Sequence, residues 1–142
     1  MTKSRNLTTA IHILTVLGFA DKNQFDTKIT SDYLATSIQT NAGLVRRVMS
    51  KLSKAGLIVS QKGKNGGTEL AKEMSKINLK EIYEAVEDGE IFKTSNKDPM
   101  KDCPISCQLS NILEGVYDDV EDSVKKHLES ISLCDVVNRV ET

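Results

Sequence analysis

The chain has 142 residues, 39% of them hydrophobic and 27% charged, with a net charge of -1, a balance that suits one core with an accessory element and not two full domains. No run reaches membrane-spanning length, the first six residues lead into an amphipathic pattern without a cleavage site, and three cysteines form no disulfide framework, so a cytoplasmic chain with no membrane contact is expected. With no Trp and only three Tyr and three Phe, there is little to stack on bases, which argues against a single-stranded nucleic acid partner.

Leu7 to Phe19 places Leu7, Ala10, Ile11, Leu14, Leu17 and Gly18 on one helical face, with Asn6 as the expected cap. His12 lies off that stripe. It reads as a partly exposed surface histidine, because metal sites need clustered ligands and its neighbours offer none. A polar loop, Asp21 to Lys28, follows, and Thr30 is expected to cap a short helix from Ser31 to Thr36. Ser37-Ile38-Gln39 reads as a turn, and Thr40 as the cap of a second helix, Asn41 to Ala55. In that helix Leu44, Val45, Val48, Met49 and Leu52 should face a core, leaving Arg46, Arg47, Ser50 and Lys51 on other faces. Gly56 suits the left-handed position that closes a helix. Leu57 to Ser60 reads as a strand, Lys62-Gly63-Lys64-Asn65-Gly66-Gly67 as a turn, and Thr68 to Ala71 as the return strand. Helix, turn, helix and hairpin spell a winged helix-turn-helix, mainly α with a small β-wing.

Charge follows the same division. Tyr33 to Thr68 contains no Asp or Glu, while Arg46, Arg47, Lys51, Lys54, Lys62 and Lys64 contribute six positive charges; Asn78 to Thr142 holds fifteen acids against seven Lys and Arg. A phosphate backbone is attracted to the first stretch and repelled by the second, so double-stranded DNA is the expected partner.

After a connector, Asn78 and Glu81 have the spacing of a capping box before Leu79, Ile82 and Val86, and Gly89 ends the segment. The acids Glu81, Glu84, Glu87 and Asp88 read as a solvated face, since nothing around them resembles a catalytic pocket. Phe92 to Asp102 has turn chemistry and no apolar period. From Pro104, a helical period runs through Ile105, Leu109, Ile112, Leu113, Val116, Tyr117, Val120, Val124 and Leu128 to about Ser130. A helix of that length cannot bury its stripe against so small a domain, and pairing with a second copy is the simplest solution. Leu109, Ile112, Leu113, Val116, Tyr117, Val120 and Val124 are therefore the expected homodimer interface. Ser132 caps a last helix, with Asp135 three residues on and Leu133, Val136, Val137 and Val140 to bury. The expected division is a DNA-binding domain at 1–77 and a sensor loop with dimerisation helices at 78–142.

The order of these pieces resembles the IscR, NsrR and CymR family of bacterial winged-helix regulators, most closely its YwnA-like branch. The most specific matches are Lys54-Ala55-Gly56-Leu57-Ile58 leading to Gly66-Gly67, and Ile131-Ser132-Leu133 with Asp135-Val136-Val137. The resemblance implies a homodimeric, DNA-binding transcription factor, in most members a repressor, dimerised through the long helix. It places base and phosphate contacts at Thr40, Asn41, Gly43, Leu44, Arg46 and Arg47, and at Lys62, Lys64, Asn65 and Gly66 of the wing; Lys51 joins them on charge. Thr68 and Glu69 stand where many members have an aromatic and a basic residue. Cluster-binding members carry three cysteines before the long helix, whereas here only Cys103 and Cys107 lie there, with Cys134 downstream. No iron–sulfur cluster, metal or other cofactor is therefore expected. Cys103 and Cys107 near the helix's positive end could be redox-sensing thiols; equally, Cys107 could be a small buried hydrophobe and Cys103 an inert turn residue. Cys134 reads as packing. The expected function is a DNA-binding repressor under thiol or small-molecule control; the alternative is a winged-helix interaction module that binds an acidic protein. No nucleophile–base, phosphate-loop or metal-ligand constellation points to an enzyme.

Overall fold

Leu34, Val45, Val48 and Leu52 are each fully shielded from solvent, which is why the two short helices that carry them lie together. The computed structural model describes residues 4–25, 28–61, 63, 66–94 and 97–142. Its elements are α1 (Asn6–Lys22), α2 (Ser31–Ile38), α3 (Ala42–Lys54), β1 (Ile58–Gln61), β2 (Gly67–Leu70), a 3-10 turn (Met74–Lys76), α4 (Leu79–Val86), α5 (Pro104–Glu129) and α6 (Leu133–Asn138). Among the described residues, no helix is long and apolar enough to cross a membrane.

Contacts divide the chain into two units, Met1–Glu87 with Leu128–Thr142, and Asp88–His127. A boundary at residue 77 therefore does not match the packing. The apolar stripe of α4, Leu79, Ile82 and Val86, and Leu133 and Val137 of α6 belong to the same core as α1, α2 and α3. Leu79 and Leu133 are locked in by backbone hydrogen bonds to Ile131 and Ile77.

In the first unit α1 packs against α2, α3, α4, α6 and β2. Contact on several sides explains why Thr9, Ile13 and Ala20 are buried beyond the expected stripe, while Leu7 and Ile11 are only partly covered. Gly18 is needed for this packing: a Cβ there would crowd Val137 Cγ2 at 2.9 Å. Asn6 is helical, not a cap, and its side chain is used elsewhere. The cap residue is Arg5, which makes no side-chain capping bond.

The helix-turn-helix starts as expected at Thr30, whose hydroxyl accepts from the Tyr33 amide. α2 runs on to Ile38, and Gln39 in the left-handed region (φ 60°) makes the turn. Asn41, not Thr40, caps α3. Its backbone is extended and its Oδ1 accepts from the Leu44 amide at 2.7 Å. Gly56, at φ +77°, closes the far end.

In the wing, Ile58 pairs with Leu70, Val59 with Glu69, Ser60 with Thr68 and Gln61 with Gly67. Both strands sit one residue nearer the tip than expected at their helix-proximal ends. Leu57 still donates its amide to Leu52 of the preceding helix and joins the hairpin only as acceptor from the Ala71 amide, so the regular strand starts after it. Along β2's other edge, the Thr68 amide donates to the Ile29 carbonyl, which ties the wing to the segment before α2.

Asn78 caps α4 through the Glu81 amide. The Glu81 carboxylate turns instead to Lys72 Nζ at 2.8 Å, so the expected reciprocal half of the box is diverted into an ion pair. α6 does have the full box, with Asp135 N donating to Ser132 Oγ and Ser132 N to Asp135 Oδ2. Val140, expected in the core, lies past the end of α6 and is exposed.

In the second unit the described residues between α4 and α5 form no helix or strand, and the ring of Phe92 rests on that of Tyr117 at 5.3 Å between centroids. α5 is 26 residues long and buries none of them.

Candidate nucleic-acid interface

One face of α3 is anchored and the other is free. Val45, Val48 and Leu52 are buried, Leu44 and Met49 pack partly against the same core, and Arg46 and Arg47 are exposed. Adjacent residues lie about 100° apart around a helix with 3.6 residues per turn. Two arginines flanked by Val45 and Val48 are thus aimed away from the core by the same periodicity that buries their neighbours. Guanidinium groups suit such a surface, since their fork of donors can pair with guanine edges or phosphates.

The other expected contacts are placed unequally. Asn41 and Gly43 are exposed and Thr40 is half-buried at the start of α3, so the first turn is accessible. Asn41 spends its side-chain oxygen on capping, which leaves its amide nitrogen to meet a base or phosphate. Leu44 is half-buried against the core. Lys51 departs most from expectation. It is half-buried, and its Nζ reaches the Val86 carbonyl at the end of α4 at 3.4 Å. Lys54, one turn further on, is exposed.

At the wing tip Gly63 takes φ +109° and its carbonyl accepts from the Gly66 amide at 2.9 Å. Gly66 itself does not have a positive φ. Glycine is required there for another reason: a Cβ would overlap the carbonyl oxygen of Gln61. Lys62, Lys64 and Asn65 lie outside the described residues. Thr68 is buried and its hydroxyl meets that of Ser60 at 3.0 Å, so it serves the hairpin's structure.

Cys103 and Cys107 stand at the start of α5. The Ser106 amide donates to Cys103 Sγ at 3.4 Å, a thiol acting as helix cap, and the Cys107 amide bonds the Cys103 carbonyl. Cys107 is exposed and its thiol donates to the Met100 carbonyl at 3.3 Å; it is not the buried hydrophobe that one reading anticipated. Cys134, half-buried in α6, accepts from the side-chain Nδ2 of Asn138 at 3.5 Å. Along α5, Leu109, Ile112 and Val116 are exposed, and Leu113, Tyr117, Val120 and Val124 are half-covered.

Asn6, expected as a cap, and Glu87, expected on a solvated face, make bonds that the sequence did not suggest. Asn6 Nδ2 donates to the Val86 carbonyl at 3.2 Å, and the Leu7 amide donates to Glu87 Oε1 at 3.0 Å. No local pattern signals bonds between residues so far apart in the chain.

The family model described as Rrf2, iron-dependent transcriptional regulator, matches residues 3–139. The chain is 34% identical over 134 residues to the HTH-type transcriptional regulator YwnA of Bacillus subtilis (strain 168), covering 94% of this chain and 96% of that one. A crystallised protein described as DNA-binding is similar at 34% identity and a TM-score of 0.72, with 92% of this chain and 97% of that one covered. CymR, the global cysteine regulator of B. subtilis, shares the fold alone, at 18% identity and a TM-score of 0.70 over 99% of each chain. A match across nearly the whole chain, carried by the helix-turn-helix as well as by the long helix, settles the assignment: this chain belongs to the Rrf2 family of transcriptional regulators.

Proposed function

We propose that this regulator acts as a homodimeric repressor that lays α3 of each protomer in the major groove of double-stranded DNA. The observation that carries the reading is the exposed Arg46–Arg47 pair on a helix whose opposite face is fixed in the core. The surrounding stretch from Tyr33 to Thr68 lacks acids, so nothing in it repels phosphate. Phosphate contacts would set register, and the arginines with Asn41 would read base edges. Basic residues on the wing, Lys62 and Lys64, would neutralise the flanking backbone.

Control is assigned to the Cys103–Cys107 segment, which begins the long helix. Oxidation to a disulfide there, by a hydroperoxide that is reduced to alcohol and water, would rearrange the start of α5 and with it the dimer. The family description names iron, but the residues here do not fit an iron–sulfur cluster. Such a cluster is held mainly by four thiolates, whereas two cysteines stand in this segment, and among the described residues no three of His, Cys, Asp and Glu gather as a metal site.

Selection of bound fragments from genomic DNA tests the reading. A repressor of this kind enriches a near-palindromic duplex and binds it in preference to random DNA, with steep salt dependence. Salt-sensitive binding without sequence preference, alongside capture by an acidic protein, would favour an interaction module instead.

A further inference from the structure

The chain crosses between its two units at the two ends of α4. It leaves after Glu87, the residue that follows the last turn of α4. It returns at Leu128 and is stitched to the start of α4: Leu79 N donates to Ile131 O at 2.9 Å, Leu133 N donates to Ile77 O at 2.7 Å, and Lys80 Nζ meets Glu129 Oε2 at 3.1 Å. The departing end is held differently. The Val86 carbonyl belongs to the last turn of α4, where carbonyls lack helical partners and carry the negative end of the helix dipole. It accepts from Asn6 Nδ2 of α1 at 3.2 Å and from Lys51 Nζ of α3 at 3.4 Å, and Glu87 Oε1 accepts from the Leu7 amide at 3.0 Å.

We propose that Lys51 is a positioning residue for DNA recognition and not a DNA contact: its ammonium holds α3 to the carbonyl of Val86, at the end of α4 from which the chain departs for the second unit. The inference rests on α3 being the recognition helix. Arg46 and Arg47 point outward from α3 while Lys51 is half-buried, so charges on one helix are divided between recognition and anchorage. Val86 is itself fully buried, which fixes the carbonyl that Lys51 grips. Any displacement of Glu87 by the segment beyond it moves this anchor, and thereby the angle at which α3 meets a groove. α4 is then the strut through which the second unit acts on recognition.

Lys51→Met keeps the aliphatic stem and removes the ammonium; Lys51→Arg keeps a cationic donor of similar reach. Each full-length variant is titrated, over a salt series, with a genomic duplex selected by the wild type and with a random duplex of equal length, beside thermal melts. Lys51→Met is expected to lose affinity for the selected duplex several-fold, with random-duplex affinity and salt slope unchanged, and Lys51→Arg to recover most of the loss. Hydrogen exchange gives a second readout. By reciprocity of coupling, bound duplex should slow exchange of the Glu87 amide, which bonds the Tyr83 carbonyl, in the wild type and not in Lys51→Met. Equal weakening on both duplexes with a salt slope lower by about one unit would make Lys51 a phosphate contact and overturn the proposal. So would unchanged binding to both. If Lys51→Met fails to melt cooperatively, Asn6→Ala removes the other donor to the same carbonyl from outside α3; selectivity lost there supports the clamp, and selectivity retained refutes it. A wild type that binds no duplex overturns the reading of α3, and this role for Lys51 with it.

Discussion

At the scale of single residues, Arg46 and Arg47 are set apart by where the helix points them. Arg46→Ala or Arg47→Ala should weaken binding to a selected duplex by about 1–3 kcal/mol if the residue reads a guanine. If it meets only phosphate, all sequences should weaken alike and the salt slope should flatten by about one unit. Unchanged isotherms for both variants would remove this face of α3 from the interface. Gly66 shows a different residue-scale constraint. In the stretch that the sequence marks as a turn, the positive φ falls at Gly63, and Gly66 is confined by the Gln61 carbonyl. Gly66→Val should therefore open the wing tip and impair DNA binding while the core remains folded. Circular dichroism melts and binding isotherms on one sample separate this from a global defect, which would lower both together.

At the scale of elements, α6 is short and depends on its cap. Ser132→Ala should cost about 0.5–2 kcal/mol, the range for loss of an N-cap. Asp135 makes that cap sensitive to acid. The Ser132 backbone amide, then the Ser132 hydroxyl, with a smaller contribution from Arg139, hold its carboxyl below the ordinary carboxylate range. A carboxyl whose folded pKa is depressed contributes stability that is complete above the unfolded value, near 3.8, and is lost as pH falls through the lower folded value. Melts of wild type and Asp135→Asn should thus differ most near neutral pH and converge in acid; a constant gap would mean that the carboxylate's charge does not matter. The start of α5 is the other element with a chemical handle. Mild oxidant should release the selected duplex from the wild type, and Cys103→Ser or Cys107→Ser should blunt the response. Two single variants that respond like the wild type would rule out a switch at this segment.

At the scale of the whole molecule, α5 exposes apolar side chains over about 39 Å, taking its 26 residues at ~1.5 Å each. Ile112 is 58% exposed and Val116 48%, an unfavourable arrangement in water for any chain that remains alone. Burying several such side chains, each contributing roughly 1.5–3 kcal/mol, can exceed the entropic cost of association. Val116→Glu with Val120→Lys should yield monomers that bind DNA much more weakly, with sedimentation reporting mass. Two-fold symmetry would also favour half-sites about 34 Å apart, which a spacing series can measure. A wild-type monomer at micromolar concentration that holds one half-site tightly would contradict the dimer.

What the sequence determined by itself is what short-range physics controls. The stripe on α3, the caps at Thr30, Asn78 and Ser132, the closing Gly56 and the extent of α5 all depend on contacts within a few residues, so periodicity and capping chemistry suffice to read them. The Arg46–Arg47 face was legible for the same reason, because burying Val45 and Val48 leaves their neighbours no other direction. Tertiary structure decided the rest. Backbone conformation at Asn41 moved the cap of α3 by one residue, and Lys72 took Glu81 away from its box. Lys51 looked like one more basic residue on a DNA-facing helix until folding brought Val86 beside it, and the boundary expected at residue 77 gave way because α4 and α6 close the core around α1. Each of these depends on residues distant in the chain competing for the same polar group or apolar surface. Local propensity carries no record of which partner wins.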